Sequence, residues 1–134
     1  MSFVLERKLI ESAYKSGMPT GSAIQYENVP FAAPTDGYTR ISVMSGGEGK
    51  RTGITATDQQ RFAGIVDVSI FVKPDSGTAG LRTIADQVAA ALAYKSLTEG
   101  FTRIVTFGSS LQIIGRAGDW YQGNVTIRYE RDTN

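Results

Sequence analysis

The sequence predicts an α+β domain: a mostly antiparallel (mixed) β-sheet with two α-helices packed on one face. Three observations lead there. Val66, Val68, Ile70 and Val72 alternate with Asp67, Ser69, Phe71 and Lys73. Side chains two apart share a face, so the first set makes one β-branched surface of a buried strand. Next, Leu81, Ile84, Ala85, Val88 and Leu92 recur at spacings of three and four, the apolar stripe of an amphipathic helix. Towards the C-terminal end, Tyr121, Val125, Ile127 and Tyr129 alternate with Gln122, Asn124, Thr126 and Arg128. That pattern marks an antiparallel sheet with one wet side.

Taken in order, Ser2 to Lys15 reads as a first helix with Ser2 as its N-cap. Leu5, Leu9 and Ala13 lie on one face, widened by Phe3, Ile10 and Tyr14. Gly17-Met18-Pro19 ends it, because glycine suits the left-handed cap and proline cannot continue a helix. Ala23 to Val29 is a candidate short strand. Pro30, Pro34 and Asp36-Gly37 then break the chain twice. Tyr38 to Met44 alternates as a strand, with Ile41 and Val43 inward.

Ser45 to Asp58 is the longest stretch without an apolar pattern. It carries Gly46, Gly47, Gly49 and Gly53, with Lys50 and Arg51 near its middle. A loop of this length in a small domain is usually functional or disordered. Gln59 to Val72 is the central strand, expected to pair antiparallel with Tyr38–Met44. Pro74 stops it, since proline cannot donate to the ladder. Asp75-Ser76-Gly77-Thr78 turns the chain and supplies N-cap oxygens to the second helix. Glu99-Gly100 is expected to end that helical segment. Thr102–Phe107 and Leu111–Ile114 read as two short strands, Gly115–Asp119 as a turn, and Trp120–Arg131 as the closing strand. Helix, strands, helix, strands is the order of an α+β domain.

With 134 residues the chain suits one domain, residues 1–134. A hydrophobic share of 41% and a charged share of 20% are ordinary for a globular protein. A net charge of +1 gives no electrostatic reason to expect nucleic acid, membrane or an acidic partner. Cys and His are both absent. Their absence removes disulfides, thiol nucleophiles, cysteine or histidine zinc sites and histidine acid–base catalysis. No apolar run approaches the ~18 residues of a membrane span. The charges of Glu6, Arg7 and Lys8 interrupt the first apolar residues, unlike a signal peptide. These features lead us to expect assembly in the cytoplasm.

Ser45 to Gly53 resembles a phosphate-binding loop only superficially. Lys50 is followed by Arg51, Met44 stands in place of the first glycine, and a strand follows where a helix is required. The readings that remain for this stretch are a mobile hairpin loop and an arm that orders against a partner. Asp67, Asp75, Asp86 and Asp119 are scattered, and nothing in the sequence holds two at the ~5–10 Å of a hydrolase pair. Ser109, Ser110 and Lys73 have no histidine with which to build a triad. Trp120, directly after Gly118-Asp119, is either plain core or an interface anchor, where Trp and Arg are enriched. Arg40, Arg61, Arg103, Arg116 and Arg128 lie in or beside strands, as solvated edge charges or as partners for acids of another copy.

Four pieces together carry a family resemblance. They are the helix Phe3–Lys15, the segment Gln60-Arg-Phe-Ala-Gly-Ile-Val-Asp-Val-Ser-Ile-Phe-Val72, the helix containing Ala85-Asp-Gln-Val-Ala-Ala-Ala-Leu92, and the ending Trp120-Tyr-Gln-Gly-Asn-Val-Thr-Ile-Arg-Tyr129. In order and spacing they resemble the tail terminator (tail-completion) proteins of long, non-contractile-tailed bacteriophages. The resemblance implies a structural virion protein with no enzymatic activity and no cofactor. It implies a homo-oligomeric ring, a hexamer, on the head-proximal end of the tail tube. The ring ends tube polymerisation and offers a docking surface to the head-completion or connector protein, while genomic DNA passes its lumen without specific binding. No residue role transfers one by one. The candidate contact residues, chosen for flexibility and position, are Gly47, Lys50, Arg51, Arg61, Arg116, Asp119 and Trp120. The rival readings are another head–tail connector or tube component on a related fold, a carboxylate- or lysine-based enzyme or ligand-binding module, and a nucleic-acid binder.

Overall fold

A computed structural model describes residues 3–34, 36–46, 50–51, 60–74, 77–100 and 102–133. Along the chain run α1 (Phe3–Gly17), β1 (Ile24–Gln25), β2 (Tyr38–Ser45), β3 (Lys50–Arg51), β4 (Gln60–Val72), α2 (Ala79–Leu92), β5 (Ser96–Glu99), β6 (Thr102–Ala117) and β7 (Trp120–Thr133). The strands form a seven-stranded sheet in the order β1-β2-β4-β7-β6-β5, with β3 pairing β4 in line with β2. Every pairing is antiparallel except the short β1–β2 pair, so the sheet is mixed. Both helices lie on one face, as the sequence predicts.

The core sits between that face and the helices. Val66, Val68 and Ile70 of β4, Val125 and Ile127 of β7, Ile41 of β2 and Ile104 of β6 meet Ile10 and Tyr14 of α1 and Leu81, Val88 and Leu92 of α2. Alternation places these side chains together because directly paired residues of antiparallel strands share a face. Ile41 pairs with Val68, and Val68 with Val125. The helices cross closely at Gly17, where an added Cβ would lie 2.4 Å from the Ala91 Cβ.

The structure corrects several local expectations. The fully buried line of α1 is Glu6, Ile10 and Tyr14, with Leu9 and Ala13 partly buried beside it, so the apolar face expected there is centred one residue further on. An acid therefore points inward, and its partners are described below. Only Ile24–Gln25 of the expected strand at 23–29 is paired. Thr78 occupies the N-cap of α2 but makes no side-chain cap hydrogen bond; Asp75 and Ser76 lie outside the described residues. That helix ends at Leu92, not at Glu99-Gly100, and residues Ser96–Glu99 form β5. No Gly or Pro marks this stop. Tyr94 takes the left-handed conformation instead (φ 54°), and its N–H donates to the Phe107 carbonyl.

The two short strands expected at 102–107 and 111–114 are one strand, β6, with register shifts between Thr106 and Ser109 and between Ile113 and Gly115. Gly108 permits the first shift, because a Cβ there would lie 2.7 Å from the Tyr94 hydroxyl. β6 runs through Ala117, so the turn is confined to Gly118-Asp119. Of the loop expected at 45–58, Lys50–Arg51 pair with Arg61 and Gln60. Residues 47–49 and 52–59 lie outside the described residues, Gly47 among them.

Candidate assembly interface

The face of the sheet away from the helices carries the residues that sequence alternation assigned to the wet side. Its two ends differ. At one end, Arg61 of β4 stands opposite Asp132 of β7. The Arg61 Nε donates to Asp132 Oδ1 at 2.7 Å, Nη2 donates to Oδ2 at 3.2 Å, and Glu130 Oε2 lies 3.7 Å from Nε. The paired carboxylate raises the Arg61 pKa. A two-pronged contact of this kind fixes the guanidinium geometrically, so Arg61 is held in place by its own chain. Lys50 and Arg51 enter the same end through their pairing with β4.

The other end holds Trp120 and, at the β6–β7 turn, Asp119; Arg116 is at the same end but pairs with Tyr121, on the helix side of the sheet. Trp120 packs edge-on against Tyr38, with ring centroids 5.5 Å apart and planes at 87°. Tyr38 stacks on Phe71 at 4.6 Å, Phe31 leans on Tyr38 at 5.1 Å, and the Arg40 guanidinium lies 5.2 Å over the Phe71 ring. Such pairs add stabilisation beyond the area they bury. This cluster explains why Phe71 is only 6% exposed on the face away from the helices. Trp120 thus belongs to a second, smaller apolar cluster and remains half-buried at its rim. Arg116 Nε lies 3.5 Å from the Gly118 carbonyl across the turn, and with Pro74, Gly77, Thr78 and Tyr121 it lines a shallow cleft.

The candidate residues therefore do not converge on one site. Arg61 and Val72 sit at opposite ends of β4, roughly 36 Å apart at ~3.3 Å per residue. Lys50, Arg51 and Arg61 mark one end of the sheet, and Arg116, Asp119 and Trp120 the other.

Sequence reasoning missed a buried polar network under α1. Arg131, on the core face of β7, is 0% exposed, and Glu6 is 2% exposed. Glu6 Oε1 accepts a hydrogen bond from the Tyr129 hydroxyl at 2.6 Å, and Oε2 accepts one from the Ser45 hydroxyl at 2.6 Å. Arg131 Nε stands 3.5 Å from Glu6 Oε1, and its guanidinium lies over the rings of Phe62 (4.4 Å) and Phe3 (5.1 Å). Gly64 makes room for this arrangement, since a Cβ there would lie 2.4 Å from the Tyr129 ring. Burial, then the bond to Glu6 and its negative charge, push the Tyr129 pKa up. A faint signal existed: Arg131 continues the odd-numbered apolar series from Tyr121 to Tyr129.

Two carboxylates are also shifted. Burial raises the Asp67 pKa on the outer face against the opposing pull of a Thr126 hydrogen bond and of Arg40. Burial raises that of Glu11, with Arg7 opposing and Glu27 reinforcing. Glu11 lines an open cleft with Ser12, Lys15, Tyr26 and Val29. Two further clefts near α1 are lined by Lys15, Met18, Pro19, Ser22 and Tyr26, and by Pro34, Asp36, Thr39, Ile84 and Gln87. Among the described residues, no three Asp or Glu side chains gather as a metal site would require. What the arrangement does provide is surface: two unlike sheet ends joined by long antiparallel strands.

Among curated proteins, none matches this chain. Eleven chains of solved structures do. One of them superposes over 98% of this chain and 96% of its own length, with a TM-score of 0.75 and 17% identity, a likeness of fold. A family model described as phage tail terminator protein matches residues 4–129. That match runs from the first turn of α1 to the Tyr129 that anchors it, through every strand of the sheet. The chain belongs to the phage tail terminator family.

Proposed function

We propose that this chain, acting as one domain over residues 1–134, forms a hexameric ring on the head-proximal end of a completed phage tail tube. The ring ends tube polymerisation, presents the docking surface for the head, and lets DNA pass its lumen without specific binding. It transforms no substrate and needs no cofactor. The family match over residues 4–129 carries this reading, because the family is one of structural tail proteins that work with other tail components. The split of the candidate contacts supports it. A closing ring needs two different patches on one subunit that match across a rotation. The end of the sheet at Lys50, Arg51 and Arg61 contributes one patch, and the end at Arg116, Asp119 and Trp120 the other; Gly47, outside the described residues, is a further candidate contact.

The test is to polymerise the cognate tube subunit with and without this protein and measure tube lengths by electron microscopy. The full chain is expected to shorten the distribution and to appear as a ring at one tube end. Trp120→Ala and a chain lacking Gly47–Thr55 are expected to cap less well while staying folded. Long tubes built from this protein alone would make it a tube component instead. Unchanged tube lengths at saturating protein would refute the terminator role.

A further inference from the structure

We infer that neighbouring copies join sheet to sheet, the β2 edge of one copy pairing with the β6 edge of the next. This deepens the ring reading and rests on it. The argument starts at the two margins of the sheet. On the far side, β5 covers only Thr102–Val105 of β6, and the Tyr94 and Lys95 backbone extends that cover to Phe107. From Ser109 onward β6 has β7 as its only strand partner among the described residues. Its regular free stretch, between the two register shifts, is Ser109–Ile113. Neither Lys nor Pro blunts that stretch, the usual defences of an exposed edge.

On the near side, β1 covers only Thr39 and Arg40 of β2. Among the described residues, Ile41–Ser45 continues without a strand partner on that edge. There the Val43 N–H donates to the Glu27 carboxylate at 2.6 Å, so a side chain stands where a strand carbonyl would. The two stretches without a strand partner, Ile41–Ser45 and Ser109–Ile113, are equal in length, and the neighbour's strand takes the place of the Glu27 carboxylate at Val43.

Direction and chemistry also fit. The successive antiparallel pairs β2–β4, β4–β7 and β7–β6 leave β2 and β6 antiparallel to each other. Copies related by rotation about an axis along the strands therefore bring these edges together in the stronger, antiparallel mode. The two shielding strands lie at opposite ends of the sheet, β1 beside the start of β2 and β5 beside the start of β6. Neither shields the stretch that its neighbour's edge must reach. Val43 at one margin and Leu111 and Ile113 at the other are half-buried core residues, which the union would cover. Met44 (49% exposed) on β2, and Phe107 (39% exposed) and Ile114 (50% exposed) on β6, are large apolar side chains left in solvent on these two edge strands. The contact is heterologous, as a ring demands.

Because the chain has no cysteine, cross-linking is free of background. Ser42→Cys and Gln112→Cys chains are mixed, assembled on tail tubes and oxidised. A covalent dimer is expected in the mixture and in neither variant alone, and the double variant is expected to ladder up to the full ring. Rings seen by native mass spectrometry or microscopy without any such cross-link, with Met44→Cys and Ser110→Cys also silent, would overturn the edge pairing and leave the ring standing. A cross-link within one single variant would mean like edges meet, and would overturn it too. Absence of any oligomer, free or on tubes, would remove the ring reading and this inference together. Ile114→Lys is expected to raise the concentration for half-assembly about tenfold, with an unchanged melting midpoint of the monomer.

Discussion

The Glu6–Arg131 pair shows what a single buried charge can govern. Its carboxylate holds Ser45 and Tyr129 by hydrogen bonds and faces the guanidinium. Removing one member leaves the other charge in an apolar site, so Glu6→Ala is expected to cost about 3–5 kcal/mol. The paired change Glu6→Gln with Arg131→Met is expected to cost less than either truncation, because no charge is then stranded. Urea unfolding midpoints measure both, and an unchanged midpoint for Glu6→Ala would remove the network from the stability argument. The tyrosines set an alkaline limit. Burial pushes the Tyr14 pKa up to about 12, against the easing effect of its 2.6 Å hydrogen bond to Thr39. A pKa raised in the folded state means stability that is complete below the unfolded value near ~10 and is lost as pH rises through the folded one. Stability is therefore expected to fall from about pH 10 upward, and Tyr14→Phe to flatten that fall. A pH–stability curve of identical shape for the two proteins would contradict this.

At the scale of elements, close approach decides where small residues must stand. α1 ends against α2 at Gly17, whose added Cβ would lie 2.4 Å from the Cβ and 2.7 Å from the Cα of Ala91. Gly80 lies in the first turn of α2 with nothing within 4 Å of its would-be Cβ. Gly17→Ala is expected to destabilise by about 1–3 kcal/mol through overpacking, and Gly80→Ala to stabilise by up to ~1 kcal/mol through helix propensity. Opposite signs in thermal melts are the signature; equal signs would mean that the helix crossing is soft. The same scale explains β6. Gly108 and the left-handed Tyr94 are two halves of one device, a strand irregularity and the helix exit packed against it.

At the scale of the whole molecule, membership of the tail terminator family makes the chain a structural part of a phage tail. The capping assay and the edge cross-links act at this level, the one asking whether copies stop a tube and the other how they meet. Much of the architecture is legible in sequence because burial on one face imposes a period, two for Val66–Val72 and Tyr121–Tyr129, near 3.6 for Leu81–Leu92. The polar residues of the interior were not legible. Glu6 looks like an ordinary surface acid until Arg131, Tyr129 and Ser45 are brought to it from 125, 123 and 39 residues away along the chain. Nor was the end of α2, since Ala93-Tyr94-Lys95 carries no helix breaker and stops only because Tyr94 and Lys95 find β6. By itself the sequence determined the fold class and the face each strand buries, since periodicity is a local property of the chain. Only tertiary structure decided which charges go inside, where β6 bends and which sheet edges stay open, because each depends on partners distant in sequence.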